Sequence, residues 1–445
     1  MSANIFIIGL NDLNRRRLGF IENDHDCIFH QLIDKRELHN TAELPVPRLL
    51  EQAIEQLRAF PGSIDGITGY MDFPISTMLP ILQGMYNLPG ASLESVLKCE
   101  HKYWSRLEQS RAVPEYIPPF QAFDPFDDRS LAGISLTYPY WIKPVKSCGS
   151  FLGFRIHNQH QFERAIEQIR QHINRFGEPF GYMLDQADLP DEVRRVRGNY
   201  CVAEKIISGR QFTVEGYVYH GEPHVFGVVD SVRDRNRSSF IRYEYPSRLP
   251  EAVQQRGADV ARRLLTHIGF NNAGFNMEFF WDERHDRLRL IETNPRIAQA
   301  HCELYRLVDG RSSHQVAVDL ALGIRPRLLH REGQFHSAAH FFIRHYHDGM
   351  VAHVPSAEDV QSVVEQFPEA HVDMCVCEGD RLRDLVDHQD SYSYELAFVD
   401  LGGRTHRDLL DRFRRCAALL PFSIVAPEMR SDDASRPREK LAIAG

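Results

Sequence analysis

No apolar run in this 445-residue chain approaches the roughly 20 residues that a membrane-crossing helix needs. The opening MSANIFIIGLNDLNRRR puts no basic stretch before its short apolar run, so no secretory leader is expected and a cytoplasmic location is. C-x-x-C pairs are missing as well. The eight cysteines, Cys27, Cys99, Cys148, Cys201, Cys302, Cys375, Cys377 and Cys416, are scattered, which suits free thiols in a reducing compartment. The C-x-C at Cys375 and Cys377 reads as one face of a strand. Positive charge is not concentrated: the formal net charge is −9 and arginines are interspersed with acids, so nucleic acid is not an expected partner. After the first strand, Asn11, Asn14 and Arg15 to Arg17 stand where a dinucleotide fold needs glycines. The G-x-G-x-x-G fingerprint is therefore absent and NAD is unsupported.

What is present is the make-up of a folded protein, 43% hydrophobic and 25% charged, in a chain too long for one core and suited to about three domains. The buried run 5–8 ends at Gly9 and a polar turn, as a doubly wound α/β unit begins. A helix over 45–58, a strand over 64–68 and a helix over 74–85 continue the alternation, predicting an open parallel sheet through about residue 115. A short helix over 100–109 follows, and the Pro-rich 114–125 marks a boundary. An apolar strand over 140–145, the loop KSCGSFLG over 146–153, a helix with Phe162, Ala165, Ile166, Ile169 and Ile173 inward, and a strand over 200–207 make a compact α+β lobe. Within it, 177–198 is expected to be irregular and mobile. A third unit holds strands over 211–219 and 223–232, a long helix over 250–268 stopped by Gly269, and a helix over 313–322 before Gly323. Strands and helices between 335 and 420 form a smaller α+β module, and the polar 426–445 is expected to be disordered.

The stretch richest in chemistry is GFNMEFFWDERHDRLRLIETNPR, residues 274–296. Apolar alternation on either side of the polar turn at 282–286 predicts a β-hairpin with strands over 275–281 and 287–293. Glu278 falls in one strand and Glu292 in the other, both among apolar neighbours where an unpaired charge is costly. Two carboxylates and the Asn294 amide oxygen are hard donors that suit Mg²⁺ shared with nucleotide phosphates, and Arg296 adds a cation. Two strand acids paired with Arg or Lys are the plain alternative. Lys143, Lys146 and Ser150, in and after a strand leading to a Gly/Ser loop, suit a polyphosphate or simply a solvated loop. The segment EKIISGRQFTV over 204–214 offers backbone edges to an adenine, an edge strand being the alternative. Arg233, Arg235 and Arg237 suit a substrate carboxylate as well as a charged loop. His301 suits a base or substrate contact as well as a packed histidine. His336, His340, His345 and His347 match no closed tetrahedral metal spacing.

Taken in order, these pieces resemble the ATP-grasp superfamily over roughly residues 65–322: Lys102 in a helix before the Pro-rich link, Lys143 with the loop to Gly153, the Glu204 to Ile207 strand, and the E…E-x-N-P-R of Glu278, Glu292, Asn294 and Arg296. The resemblance implies an α/β and α+β fold in the three-part ATP-grasp architecture. Its parts would be an N-terminal parallel α/β domain (1–118), a small α+β lid (119–207) and a larger α+β catalytic lobe (208–330), followed by a C-terminal α+β module (331–425) and a tail (426–445). It further implies that Lys102, Lys143, Lys146 and Ser150 serve the ATP phosphates and that Glu204, Lys205 and Ile207 border adenine. Glu278, Glu292 and Asn294 would hold two Mg²⁺ ions, with Mn²⁺ an alternative, and Arg296 and Lys143 would carry catalysis. Gln211 stands where many members place a ribose-binding Glu, so ribose contact there is expected to be weaker.

The implied activity is that of an ATP-dependent carboxylate–amine ligase. Such an enzyme activates a small carboxylic or amino acid as an acyl phosphate and couples it to an amine, releasing ADP and phosphate. The implied partners are those small molecules, with substrate contacts from Arg233, Arg235 and His301 and no membrane, and a homodimer is the common prior for a soluble homo-oligomer. The module after Gly323 resembles that of the L-amino acid ligase and biotin-carboxylase-like branch. Two alternatives stand beside the ligase. A biotin carboxylase-like enzyme would need a separate carrier, since the chain has no M-K-M tether. A non-catalytic nucleotide-binding scaffold sits poorly with intact Glu278, Glu292, Asn294 and Arg296.

Overall fold

The computed structural model describes residues 2–10, 15, 18, 19, 21, 27–34, 37, 44–147, 151–234, 239–385, 388–390 and 392–426. Of the tail expected to be disordered, 427–445 lies outside the described residues. The chain begins with strand β1 (Ala3–Ile8), flanked in parallel by β2 (Cys27–Leu32) and β3 (Gly66–Thr68). Helices Val46–Ala59 and Ile75–Met85 accompany this sheet, as the α/β alternation predicts. β2 escapes a periodicity reading because only Leu32 of its CIFHQL is fully buried.

The single short helix expected over 100–109 is two helices, Leu93–Glu100 and Lys102–Ala112, broken at His101. His101 caps the second: its Nδ1 accepts the Trp104 N–H at 3.0 Å while Nε2 donates to the Val196 carbonyl at 2.8 Å. Burial pushes this imidazole down to about 4, so it is neutral at pH 7 and both bonds are those of one tautomer.

The next sheet contains β4 (Phe120–Phe123), β5 (Tyr140–Pro144), β6 (Phe154–Ile156) and β7 (Cys201–Lys205) in the order β4-β7-β5-β6. Helix Gln159–His172 covers it with Phe162, Ala165, Ile166 and Ile169. The stretch 177–198 is not irregular. It forms helices Asn174–Leu184 and Asp191–Arg194, whose Phe180, Met183, Leu184 and Val193 join the core beneath the first sheet. The glycines that signal a loop there are packing glycines: a Cβ on Gly198 would stand 2.2 Å from the Gly177 carbonyl oxygen.

The largest sheet has eight strands, all neighbours antiparallel: β8 (Arg210–Tyr219), β9 (Glu222–Arg233), β10 (Phe240–Tyr245), β11 (Ala273–Asp282), β12 (Arg287–Asn294), β13 (Ser337–His345) and, after the separate strand β14 (Met350–His353), β15 (His371–Met374) and β16 (Tyr394–Gly403). A final strand, β17 (Ser423–Val425), pairs with β14. The order β12-β11-β8-β9-β10-β13-β16-β15 shows that strands beyond Gly323 extend the sheet carrying the hairpin. Side chains alternate between its faces. Phe212, Val214, Phe275, Met277 and Phe279 pack beneath helix Glu251–Ile268, which ends at Gly269 with φ of 70°. The other face carries Gln211, Thr213, Glu215, Asn276 and Glu278, and there the polar groups of the site collect. Among the described residues no helix is long and apolar enough to cross a membrane, and the described cysteines are free.

The apolar face anchors the hairpin through Phe279, which is fully buried and stacks on Phe212 at 5.3 Å. Phe279→Ala is expected to destabilise the protein by about 3–5 kcal/mol, read by urea denaturation; a loss below about 1 kcal/mol would mean that this layer does not hold the hairpin in place.

Candidate active site at the acidic hairpin

Glu278 on β11 lies directly opposite Glu292 on β12. Next to this pair the register shifts: Phe279 faces Leu290, leaving Ile291 as an extra residue. In an uninterrupted strand Leu290 and Glu292 would share a face. The bulge keeps Leu290 in the core with Phe279 and turns Glu292 toward the polar face with Glu278. Gln211 Nε2 donates to Glu278 at 3.0 Å, and Asn294 Nδ2 donates to Asn276 at 2.8 Å and to Glu278 at 3.4 Å. With its amide hydrogens so directed, Asn294 has its oxygen to offer a cation. Withdrawal from water, and then the charge of Glu292, push the Glu278 carboxyl up to about 7. Two facing carboxylates that resist joint ionisation are a donor set that fits a divalent cation. Among the described residues no group of three or more His, Cys, Asp or Glu side chains is placed to hold an ion alone. The hairpin set therefore fits Mg²⁺ that draws its remaining ligands from phosphate oxygens and water.

Arg296, just past β12, makes a two-pronged pair with Asp72, Nε and Nη2 each 2.8 Å from a carboxylate oxygen. Burial works against the Asp72 charge, but Arg296, with Lys146 and Lys102 behind it, holds this carboxyl below its usual range. Sequence reading missed Asp72. It follows the carboxyl end of β3, the edge of a parallel sheet where α/β sites collect, and that position was the available signal.

The lysines are each held by a partner. Lys102 Nζ donates to the Ser147 carbonyl at 3.0 Å. Lys146, expected at the phosphates, is 3% exposed and ion-paired with buried Glu100, which also accepts from the Ser76 hydroxyl; its ammonium lies 5.5 Å from the Phe73 ring centre. Lys143 Nζ is 2.9 Å from Glu204 Oε2. The Glu204 side chain, expected to border adenine, is a buried counter-ion shared by Lys143 and Arg106. Burial opposes its charge, yet Arg106 and then Lys143 hold it at about 2. Lys205 is exposed and Ile207 half-buried, and Ser150 and Arg235 lie outside the described residues.

Gln211 is 8% exposed. Its oxygen accepts from Arg233 Nε and Nη2 at 3.2 and 3.0 Å while its amide donates to Glu278. It joins Arg233 to the acidic pair, where sequence reading expects a ribose contact. Arg233 itself lies 3.9 Å above the Phe240 ring. His301 is buried: its Nδ1 bonds to Glu215, a fully buried acid of β8 that also accepts the Tyr305 hydroxyl at 3.0 Å and the Ala298 N–H at 3.3 Å. The ring meets Tyr243 edge-on at 4.8 Å. The packed alternative describes it. Arg106, Glu100 and Glu215 escaped the sequence reading because nothing local marks a buried ion pair whose partner is distant in sequence.

Residues 136–303 match the ATP-grasp domain family, a stretch that contains Lys143, Glu204, Glu278, Glu292, Asn294, Arg296 and His301. No curated protein matches the chain. Among solved structures, an L-amino acid ligase from Bacillus licheniformis is 17% identical with a TM-score of 0.67, the match covering 96% of this chain and 99% of that one. A biotin carboxylase from Campylobacter jejuni is 14% identical with a TM-score of 0.64, covering 95% and 92%. An N5-carboxyaminoimidazole synthase from Aspergillus clavatus, in complex with ADP and its aminoimidazole ribonucleotide, is 13% identical with a TM-score of 0.62, covering 94% and 98%. At identities this low the likeness shows a shared fold and nothing further.

The acidic pair sets a pH dependence. Because the Glu278 carboxyl is raised in the folded protein, its contribution to stability is complete at low pH and is lost as pH rises through about 7. A cation at the pair relieves that loss. Adding saturating Mg²⁺ in the presence of ADP is expected to raise Tm by about 2 °C more at pH 8 than at pH 6; equal shifts at both pH values would contradict a metal at this pair.

Proposed function

The chain carries an ATP-grasp domain, and on that premise we propose that it is an ATP-dependent carboxylate–amine ligase. The observation that carries the proposal is the acidic pair: Glu278 opposite Glu292, beside Asn294 and followed by Arg296. These two carboxylates and the Asn294 oxygen would hold the Mg²⁺ that accompanies ATP, one ion or two. Bound there, Mg²⁺ supplies charge neutralisation to the phosphate oxygens.

The chain's own residues account for the rest. Lys102 and Lys143 would serve the phosphates, the latter oriented by Glu204. Arg296, oriented by Asp72, would add a third cation. A substrate carboxylate meets like charge as it nears the γ-phosphate, and these cations lower that repulsion. The carboxylate oxygen bonds to phosphorus, the bond to the leaving ADP oxygen breaks, and an acyl phosphate results. An amine then bonds to the acyl carbon, phosphate departs with the electron pair of the broken C–O bond, and the amine loses a proton. Arg296 would stabilise the oxyanion of that step, a contact of the kind worth about 3 kcal/mol. Water would destroy the acyl phosphate, and closure of the lobe of β4 to β7 would exclude it. Likeness to an L-amino acid ligase favours amino acids as the acid, the amine or both.

A screen of amino acids and other small acids, singly and in pairs, with ATP and Mg²⁺ tests the proposal by phosphate release. At least one acid with an amine is expected to stimulate ADP and phosphate formation together with a new amide. Stimulation only by bicarbonate with free biotin would favour the carboxylase reading instead. With the substrates found, Glu292→Gln is expected to lower turnover at least about 100-fold while leaving Tm within a few degrees, and unchanged turnover would remove the metal role of this acid.

A further inference from the structure

Arg106 is 2% exposed and every N–H of its guanidinium has an acceptor. Nε and Nη2 reach the two oxygens of Glu204 at 2.7 and 3.3 Å. Nη2 also donates to the Ile291 carbonyl at 2.8 Å, and Nη1 donates to the Leu290 carbonyl at 3.1 Å and to Gln109 Oε1 at 2.5 Å. One planar group thus touches the helix Lys102–Ala112, strand β7 of the small lobe and strand β12 of the hairpin.

The places it touches are specific. Ile291 is the extra residue of the bulge that aims Glu292, and β12 is the outermost strand of its sheet, so carbonyls on its outer side have no neighbouring strand to bond. Arg106 supplies the donors there. Its other contact, Glu204, is the acid that orients Lys143. Arg106 also lies one helical turn after Lys102, which puts the two cations on the same side of their helix. A buried ion pair adds little net stability compared with an apolar replacement, whereas a guanidinium fork that fixes two partners at once confers placement.

We propose that Arg106 is a positioning residue that sets the metal-facing carboxylate and the phosphate-facing lysine at a fixed separation, holding Glu292 through the bulge carbonyls and Lys143 through Glu204. The proposal rests on the ligase reading only for the roles of Glu292 and Lys143. Because β7 belongs to the small lobe and β12 to the large sheet, Arg106 is also the buried tie between the two parts that must grip one nucleotide.

The test is calorimetric titration of the full chain with a non-hydrolysable ATP analogue, with and without Mg²⁺. Wild type is expected to bind at least about tenfold tighter with Mg²⁺. Arg106→Lys keeps the charge but not the fork, and is expected to lose most of that tenfold gain, with metal-free affinity falling at least about threefold as well because the hold on Lys143 through Glu204 is loosened. A merely structural defect would weaken both affinities in proportion, and that outcome, or full retention of the gain, overturns the proposal. Should Arg106→Lys not fold, Glu204→Gln decides: it leaves Arg106 its bonds to β12 and to Gln109 and removes the carboxylate charge through which Lys143 is held. The Mg²⁺ gain should then persist while metal-free affinity shifts at least about threefold, and an unshifted metal-free affinity overturns the proposal. Absence of any nucleotide binding by wild type would instead bring down the ligase reading and this inference with it.

Discussion

Two carboxylates, Glu278 and Glu292, face each other across a strand pair, and much of the surrounding structure answers the repulsion between them. Like charges directly opposite on neighbouring strands are destabilising. The sheet nonetheless inserts an extra residue, Ile291, to bring them together. Around them stand the donors that soften the cost: Gln211 and Asn294 on Glu278, Arg233 behind Gln211, and Arg296 close by. The arrangement does not abolish the cost, since withdrawal from water, and then the charge of Glu292, still push the Glu278 carboxyl up to about 7. Such a site would suit a cation that arrives with its ligand, as the proposed function requires.

The cations around this cleft show complementary restraint. Lys143 lies against Glu204, Lys146 against Glu100 and Arg296 against Asp72. Each is preoriented, and none depends on a bound anion for its position. Buried pairs of this kind are expensive to desolvate and yield little net stability, so their concentration where three parts of the chain meet argues for placement. The partners come from different parts: Asp72 follows the first sheet, Glu204 lies in the small lobe and Arg296 follows β12 of the large sheet. The polar face is assembled by tertiary contact, and the apolar face beneath helix Glu251–Ile268 keeps the strands in register.

This division explains what could be read in the sequence. The hairpin was legible because apolar alternation, a polar turn and two acids all occur within 23 residues, 274–296. The long helix before it and its αL glycine stop were legible for the same local reason. The Ile291 bulge was not, since simple alternation places Leu290 and Glu292 on one face and only the pairing with β11 separates them. Asp72 and Arg296 are 224 residues apart, and Arg106 and Leu290 are 184 apart. No local pattern joins such partners. Residues 177–198 misled in the opposite direction: their glycines and Pro179 look like loop formers, yet Gly177 and Gly198 are small because two backbones touch there. The roles expected for Gln211, Lys146 and His301 came from type and order alone, and burial has given each a protein partner.

The central claim is that the acidic pair is a metal floor shared with a nucleotide. A crystal of the chain grown with a non-hydrolysable ATP analogue and Mn²⁺ tests it most directly, because Mn²⁺ scatters anomalously and binds oxygen donors as Mg²⁺ does. Anomalous density is expected between Glu278 and Glu292, within about 2.0–2.3 Å of carboxylate and phosphate oxygens. Nucleotide bound elsewhere, or bound here with no ion at the two carboxylates, would contradict it.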